Sequence, residues 1–192
     1  MAQLLRPTRG GFFRPFGTAW FIREFLAGRG PEGSPTIDPS IGAPQTDIQA
    51  EYKAALHRAF AEDMVAKEEE RRIKRGLEPL TAEEAEYRLA WYMDRIPMKF
   101  TRMRYHSFLV YCGVLKRLGW LEETEKTEPS TVQENYPPAP PRKYYRLTDS
   151  GRAATELQLS DPVMTLYPEY DRKMRSAKNR KYIKAWAERK RV

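Results

Sequence analysis

Residues 115–123 read Leu-Lys-Arg-Leu-Gly-Trp-Leu-Glu-Glu, and residues 142–153 read Arg-Lys-Tyr-Tyr-Arg-Leu-Thr-Asp-Ser-Gly-Arg-Ala. In the first stretch the apolar spacing changes from the period of about 3.6 residues that is typical of a helix to the alternation that is typical of a strand. The second stretch begins as a strand and continues into a helix, which Thr148 or Ser150 can cap. The prolines of residues 129–142 favour an extended loop over a tight turn. We therefore expect a strand over 120–126, a long loop, a strand over 143–147, and a helix to about Leu159.

The helix that precedes the first strand is predicted to run from about Thr101 to Leu118. At about 100° per residue its apolar residues gather on one side, which should face a core. Arg104 falls on that apolar side. The opposite side carries Arg102, Tyr105, His106, Leu109, Gly113, Lys116 and Arg117. No Asp or Glu occurs from Lys99 to Gly119.

The order of these elements, and the two stretches quoted above, resemble the winged helix-turn-helix domain of PadR-like and MarR-like transcriptional regulators over residues 99–158. The resemblance implies a mainly α fold with a small β-hairpin wing. It further implies that the helix before the first strand enters the major groove of DNA, while the wing touches the backbone or the minor groove. The protein would then be a DNA-binding protein, for which transcription regulation is one version of the function.

The resemblance also nominates individual contacts, carried over by position. They are Arg102, Arg104, Tyr105 and His106 near the helix start, and Arg142 and Lys143 at the wing. Lys116 and Arg117 near the helix end are further candidate contacts. Arginine suits guanine because its planar fork matches two acceptors on the base edge. The first wing strand also carries Glu122, Glu123, Glu125 and Glu128, which would repel phosphates. The alternative is that Lys116 and Arg117 are ordinary solvated residues and that the domain is a protein docking platform.

Charge is distributed unevenly along the chain, whose formal net charge is +8. Residues 171–192 alone carry +8, residues 1–30 carry +4, and residues 46–96 carry −3. The tail residues that we expect to contact phosphates are Arg172, Lys173, Arg175, Lys178, Arg180, Lys181 and Lys184. Charge of this kind gives affinity for a polyanion without distinguishing DNA from RNA. The alternatives are a solvated tail or a segment that docks on an acidic protein.

Four regions are expected. Residues 1–45 form a basic aromatic arm and a Pro/Gly-rich linker, residues 46–80 a long and partly projecting helix, residues 81–160 the winged-helix domain, and residues 161–192 a basic tail. In the long helix Ile48, Tyr52, Leu56, Phe60 and Met64 recur every four residues, which predicts an apolar stripe over its first turns. Thr81 and Glu84 form a capping box that opens the next helix.

Composition argues against several functional classes. With Cys112 as the one cysteine and only two histidines, the chain lacks the residues of a multi-cysteine or histidine-based metal site. It contains no nucleophile or phosphate-loop motif, so we expect neither an enzyme nor a cofactor. The longest apolar stretch is far shorter than the roughly 20 residues of a membrane span. The Arg-rich residues 1–30 resemble an organelle transit peptide, but their glycines and prolines favour a docking arm, and a cytoplasmic location is expected.

Two functions of different classes remain. In the first, the chain is a nucleic-acid-binding winged-helix protein that uses the basic helix for the groove and the tail for the phosphate backbone. In the second, it is a structural or adaptor subunit of a large protein or nucleoprotein assembly. Residues 1–30 and 46–75 would then bind neighbouring proteins.

Overall fold

The computed structural model describes residues 15–97, 100–101, 103–130 and 140–168. The described chain is mainly helical and contains a small three-stranded antiparallel sheet, which confirms the predicted class of a mainly α fold with a small β element. In chain order the elements are α1 (Thr18–Leu26), β1 (Ala43–Pro44), α2 (Gln45–Lys74), α3 (Ala82–Arg95), α4 (Tyr105–Arg117), β2 (Leu121–Glu128), β3 (Arg142–Leu147), α5 (Asp149–Ala153), α6 (Glu156–Ser160) and α7 (Pro162–Leu166).

Two helices differ in extent from the prediction. The helix expected from Thr101 begins at Tyr105, because Arg104 has an extended backbone with ψ of 138°. The helix expected to run to Leu159 is divided into α5 and α6. Ala154, with ψ of 129°, ends the first, and Thr155 opens the second with a capping box to Gln158. The chain therefore turns between these short helices instead of continuing straight.

The core is formed where α1, α2 and α4 meet. Phe21 of α1 lies 5.1 Å from Tyr52 of α2 between ring centroids and 5.6 Å from Phe25, and Phe108 of α4 is fully buried in the same cluster. The helix α1 and the strand β1 lie within the residues expected to form an arm and a linker, yet both join this core. A nine-residue helix cannot stand alone, but its apolar side, which includes Ile22, is stabilised by burial against α2 and α4.

The sheet has the strand order β1-β3-β2, and both pairings are antiparallel. Leu121 pairs with Leu147, Glu123 with Tyr145, and Ala43 with Tyr145 from the other side. Gly42 precedes β1 at φ of 76°, and a Cβ at this position would lie 2.0 Å from the carbonyl oxygen of Tyr145. Only glycine lets the chain approach β3 this closely, so Gly42 allows the third strand to form.

Helices α2 and α3 form a hairpin that projects from the core. No residue of α2 after Ala61 is buried, and no residue of α3 is buried. The two helices contact each other through Glu68, which accepts a hydrogen bond from the Tyr92 hydroxyl at 3.1 Å and pairs with Arg88 at 3.3 Å. Thr81 and Glu84 form the predicted capping box at the start of α3. The second half of α2 thus extends for about 20 Å beyond the core.

His57 of α2 forms a hydrogen bond that holds the end of α3 against α2. Its Nε2–H donates to the carbonyl oxygen of Met93 at 2.8 Å, and the side chain is buried. In a continuing helix the N–H of residue 97 would bond this carbonyl, but Pro97 has no N–H. The imidazole therefore satisfies an acceptor that the proline leaves without its helical donor.

We expect His57→Ala to lower the free energy of unfolding by about 1–3 kcal/mol, because it leaves the partly buried Met93 carbonyl without a donor. His106→Ala removes the other histidine from an exposed position and should change stability by less than about 0.5 kcal/mol. Urea unfolding followed by circular dichroism measures both. Equal effects of the two substitutions would contradict the role of His57.

Gly151 allows α5 to pack against the start of β2. A Cβ at this position would lie 2.2 Å from the carbonyl oxygen of Trp120 and 3.0 Å from its carbonyl carbon. Both are backbone atoms, so no side chain can move aside. The side-chain hydroxyl of Thr148 accepts from the Gly151 N–H and donates to the Gly119 carbonyl at 2.6 Å, which holds α5 at this distance.

Gly151→Ala should therefore destabilise the fold by about 1–3 kcal/mol or more through steric overlap. Gly113→Ala is the matched control, because a Cβ at this position within α4 would meet nothing within 4 Å. The control should raise stability by roughly 0.5–1 kcal/mol, since alanine is the better helix former. Thermal and urea denaturation distinguish the two, and destabilisation by both variants would refute the assignment of close packing to Gly151 alone.

Candidate nucleic-acid interface

The inner side of α4 is held against the core, which determines the side that faces outward. Phe108, Cys112 and Leu115 are buried, as the helical pattern requires for one face. Just before the helix, the buried Gln49 amide of α2 donates to the carbonyl oxygen of Met103 at 2.9 Å. This bond and the apolar contacts position the start of α4 relative to α2.

The outward side of α4 is free of carboxylates and has an apolar centre. Tyr105 and His106 are exposed at its N-terminal end, and Lys116 and Arg117 at its C-terminal end, as predicted from the helical pattern. Between these ends, the side chain of Val110 is 51% exposed. The N-terminal end therefore offers polar groups, and the middle offers a small apolar surface.

Arg104 lies immediately before α4, where its backbone caps the helix. The helical wheel placed it on the apolar side, but its side chain is exposed because the helix begins one residue later. Within the described parts of the chain Arg104 has no carboxylate partner. Arg102, predicted as its neighbour in this site, lies outside the described residues.

Lys116 and Lys143 share one carboxylate. Glu123 of β2 lies 2.5 Å from Lys116 Nζ and 2.8 Å from Lys143 Nζ, and the Tyr145 hydroxyl donates to it at 3.3 Å. Hydrogen bonds from the two ammonium groups lower the pKa of Glu123 from 4.5 to about 2, and the pKa values of both lysines are raised. The contribution of Glu123 to stability is therefore complete above about pH 4.5 and is lost as the pH falls toward 2.

The arginines of β3 are also paired with carboxylates. Arg142 contacts Asp47 and Glu128, the latter at 3.6 Å, and Arg146 lies 2.7 Å from Glu122. Residues 121–128 carry a charge of −3 and residues 142–147 a charge of +3, so the two strands neutralise each other. Three of the four glutamates of β2, which the sequence suggested would repel phosphates, form ion pairs with cations of β3: Glu122, Glu123 and Glu128.

Arg117 bonds within the chain. Its Nη1–H donates to the Tyr167 hydroxyl at 2.8 Å, and its Nε–H donates to the Gly113 carbonyl at 3.4 Å. Tyr167 follows α7, which packs on α4 and on α6. Arg117 therefore keeps its charge exposed but has a fixed position.

The structure separates five of the predicted contacts into two groups, and it places Arg117 against Tyr167 and Arg142 against Asp47 and Glu128. Arg104, Tyr105 and His106 lie together at the start of α4, whereas Lys116 and Lys143 meet on Glu123 near its end. Sequence reasoning missed Glu123 as the residue that binds both lysines. The signal for this role is the register of the two strands, which pairs Glu123 with Tyr145. The predicted tail contacts Arg172, Lys173, Arg175, Lys178, Arg180, Lys181 and Lys184 lie outside the described residues.

Three further features of the described residues bear on function: the reactivity of Cys112, the grouping of possible metal ligands and the length of the apolar helices. Burial raises the pKa of the Cys112 thiol to about 12, which leaves it protonated and unreactive at neutral pH. Within the same residues no three His, Cys, Asp or Glu side chains are grouped to hold a metal ion. None of the described helices is both long and apolar enough to cross a membrane.

Comparisons with protein-family models, with curated proteins and with solved structures find no match to this chain.

Cys112 should resist alkylation in the folded protein. With a pKa of about 12, only about one thiol in ten thousand is ionised at pH 8, and the side chain is buried besides. We expect no labelling by iodoacetamide at pH 8 until urea unfolds the chain. Ser107→Cys places a thiol on the exposed side of the same helix and should be labelled rapidly in the folded state. Labelling of Cys112 at the rate of this control would contradict the structure.

Proposed function

We propose that this chain is a nucleic-acid-binding winged-helix protein that binds duplex DNA with α4 and contacts phosphates with the basic tail, residues 171–192. The observation that carries the proposal is the outward side of α4. It has no carboxylate, and it exposes Arg104, Tyr105 and His106 at one end. An arginine that has no carboxylate partner among the described residues can contact a phosphate or a guanine edge, and His106 can donate a hydrogen bond to either.

The arrangement of elements supports this proposal. The helix α4 is followed along the chain by the antiparallel strands β2 and β3, and β1 completes a small sheet beside β3. A winged helix packs three helices against a sheet of this kind. The sequence between Pro97 and Thr101 offers no helix to precede the recognition helix, but the first half of α2 packs against both α1 and α4 and can take that place. The second half of α2 and the whole of α3 would then be an insertion between the first half of α2 and α4.

The size of α4 suits a major groove. Its 13 residues span about 20 Å, and the groove of B-DNA is about 12 Å wide, which admits one α-helix. With its inner side on the core and its outward side free of acid, α4 can approach base edges along the exposed side. Val110, in the middle of that side, would contact an apolar group such as a thymine methyl.

Most of the electrostatic attraction must come from the chain termini. The described residues contain 19 Lys and Arg against 22 Asp and Glu, a charge of −3, while the rest of the chain carries +11. A folded body with this charge does not attract DNA by itself. We infer that the tail supplies the phosphate contacts and that α4 supplies orientation.

The second candidate, a structural or adaptor subunit, is favoured by a different observation. Among the described residues five large apolar side chains are more than half exposed. They are Ile73 of α2 at 55%, Leu77 after α2 at 53%, Tyr87 of α3 at 66%, Val110 of α4 at 51%, and Leu157 of α6 at 81%. Together with the neutralised wing strands, these surfaces suit protein partners. Residues 46–75 and 1–30 would provide further contacts in such an assembly.

The two candidates differ in their response to one substitution. Arg104→Ala should weaken binding to a mixed-sequence duplex by about tenfold, because it removes a cation from the proposed groove contact. Arg71→Ala removes an exposed arginine from the projecting α2–α3 hairpin and should change affinity by less than about twofold. Fluorescence anisotropy at two salt concentrations measures the affinities of the full chain and both variants.

A shortened chain that ends at Tyr170, with its fold checked by circular dichroism, completes this experiment. Loss of the tail should reduce the slope of log affinity against log salt by about 0.9 for each lost phosphate contact. Equal effects of Arg104→Ala and Arg71→Ala would show that α4 does not contact the DNA. No binding by the full chain at low salt would refute DNA binding and leave the adaptor.

A further inference from the structure

Glu123 occupies the position that a phosphate would need in order to reach two of the predicted contact lysines. Its two oxygens are divided between them, Oε1 toward Lys116 and Oε2 toward Lys143. Lys116 extends from the last turn of α4, and Lys143 lies at the start of β3. One carboxylate thus joins the proposed recognition helix to the proposed wing.

The shared carboxylate remains accessible to solvent. The side chains of Lys116 and Glu123 are each about one-third exposed, at 37% and 35%, and that of Lys143 is 56% exposed. Ion pairs at such positions are weak, because water screens both charges. A phosphate oxygen is an acceptor of the same kind as a carboxylate oxygen, so it can replace Glu123 on either lysine. The pairs therefore reduce the availability of the lysines without removing it.

We propose that Glu123 is a specificity-determining residue of the DNA interface, whose carboxylate competes with backbone phosphates for Lys116 and Lys143. This inference rests on the proposed function of α4. A duplex that α4 does not engage gains little from the two lysines, since Glu123 already binds them. A duplex held in place by α4 brings its phosphates close enough to displace the carboxylate. Glu123 therefore weakens non-specific attraction more than specific binding. A repulsive group raises specificity in this way, by weakening binding to the wrong partner.

Glu122 provides a matched control on the same strand. It forms an ion pair with Arg146 at 2.7 Å, and its exposure is similar to that of Glu123. Because successive residues of a strand point to opposite faces, Glu122 and Arg146 lie on the other face of the sheet from Glu123 and Tyr145. Replacing either glutamate by glutamine changes the net charge equally and keeps the side-chain shape. Only Glu123→Gln frees Lys116 and Lys143.

The test measures binding of full-length protein to a mixed-sequence duplex by fluorescence anisotropy over a range of salt concentrations. We expect Glu123→Gln to bind about fivefold to tenfold more tightly than the unmodified protein. The slope of log affinity against log salt should become steeper by about 1–2, because one or two further phosphates are neutralised. Glu122→Gln should remain within about twofold of the unmodified protein.

A second comparison assigns the gain to the two lysines. In a protein that carries Lys116→Ala and Lys143→Ala, the addition of Glu123→Gln should change affinity by less than about twofold. Glu123→Thr, with a side chain that is favoured in strands, serves as a second uncharged variant if the glutamine variant does not fold. Circular dichroism confirms folding before each titration.

The outcomes separate the inference from the function on which it rests. If the unmodified protein binds and Glu123→Gln binds no more tightly, the competition by Glu123 is refuted, while DNA binding by the chain stands. If Glu122→Gln gives the same gain, the effect is one of net charge, and the proposal is overturned. If neither the unmodified protein nor any variant binds at low salt, the proposed function itself fails.

Discussion

The packing of Phe21 on Tyr52 is the contact on which the arrangement of the helices depends. It joins α1 to the first half of α2, and the buried Phe108 adds α4 to the same cluster. The Thr18 hydroxyl donates to the Tyr52 hydroxyl at 3.2 Å, so the one polar atom of this ring is satisfied inside the core. Because the inner side of α4 packs against this cluster, the opposite side faces outward. The proposed interface is therefore a consequence of how α1 fills the core.

Electrostatics divides the molecule into two parts with different roles. In the described body, acids outnumber bases, and the cations of β3 are each paired with a carboxylate. The basic excess belongs to the remaining residues, chiefly to residues 171–192. A paired surface lysine contributes little long-range attraction, whereas a segment with a large excess of positive charge attracts any polyanion. The charge of the whole chain thus says little about the surface that α4 presents.

Several elements could be predicted from the sequence because their signals are local. The capping box of Thr81 and Glu84, the apolar side of α4 and the two long strands all follow from spacing within one segment. The strand β1 could not, because two residues that include Pro44 carry no periodicity. Its partner is a strand about 100 residues later in the chain, and only the close approach at Gly42 reveals the pairing.

The candidate site was predictable to a similar degree. The period of the helix identified Tyr105, His106, Lys116 and Arg117 as exposed, but it missed Val110. It also could not show which of these residues are paired with acids from other segments. The bond from His57 to Met93 and the sharing of Glu123 by two lysines both depend on elements far apart in sequence. Contacts of this kind follow from register and packing, which a single sequence does not state.

If α4 binds DNA, affinity and discrimination must come from different parts of the chain. The outward side of α4 offers one arginine with no carboxylate partner among the described residues, a histidine and an apolar centre, which together give few phosphate contacts. Such a helix orients a duplex and discriminates among base pairs, but its affinity without the tail is small. The tail has the opposite character, because its charge binds phosphates of any sequence. Salt should therefore act mainly through residues 171–192, while a change of base sequence should act through α4, and neither part replaces the other.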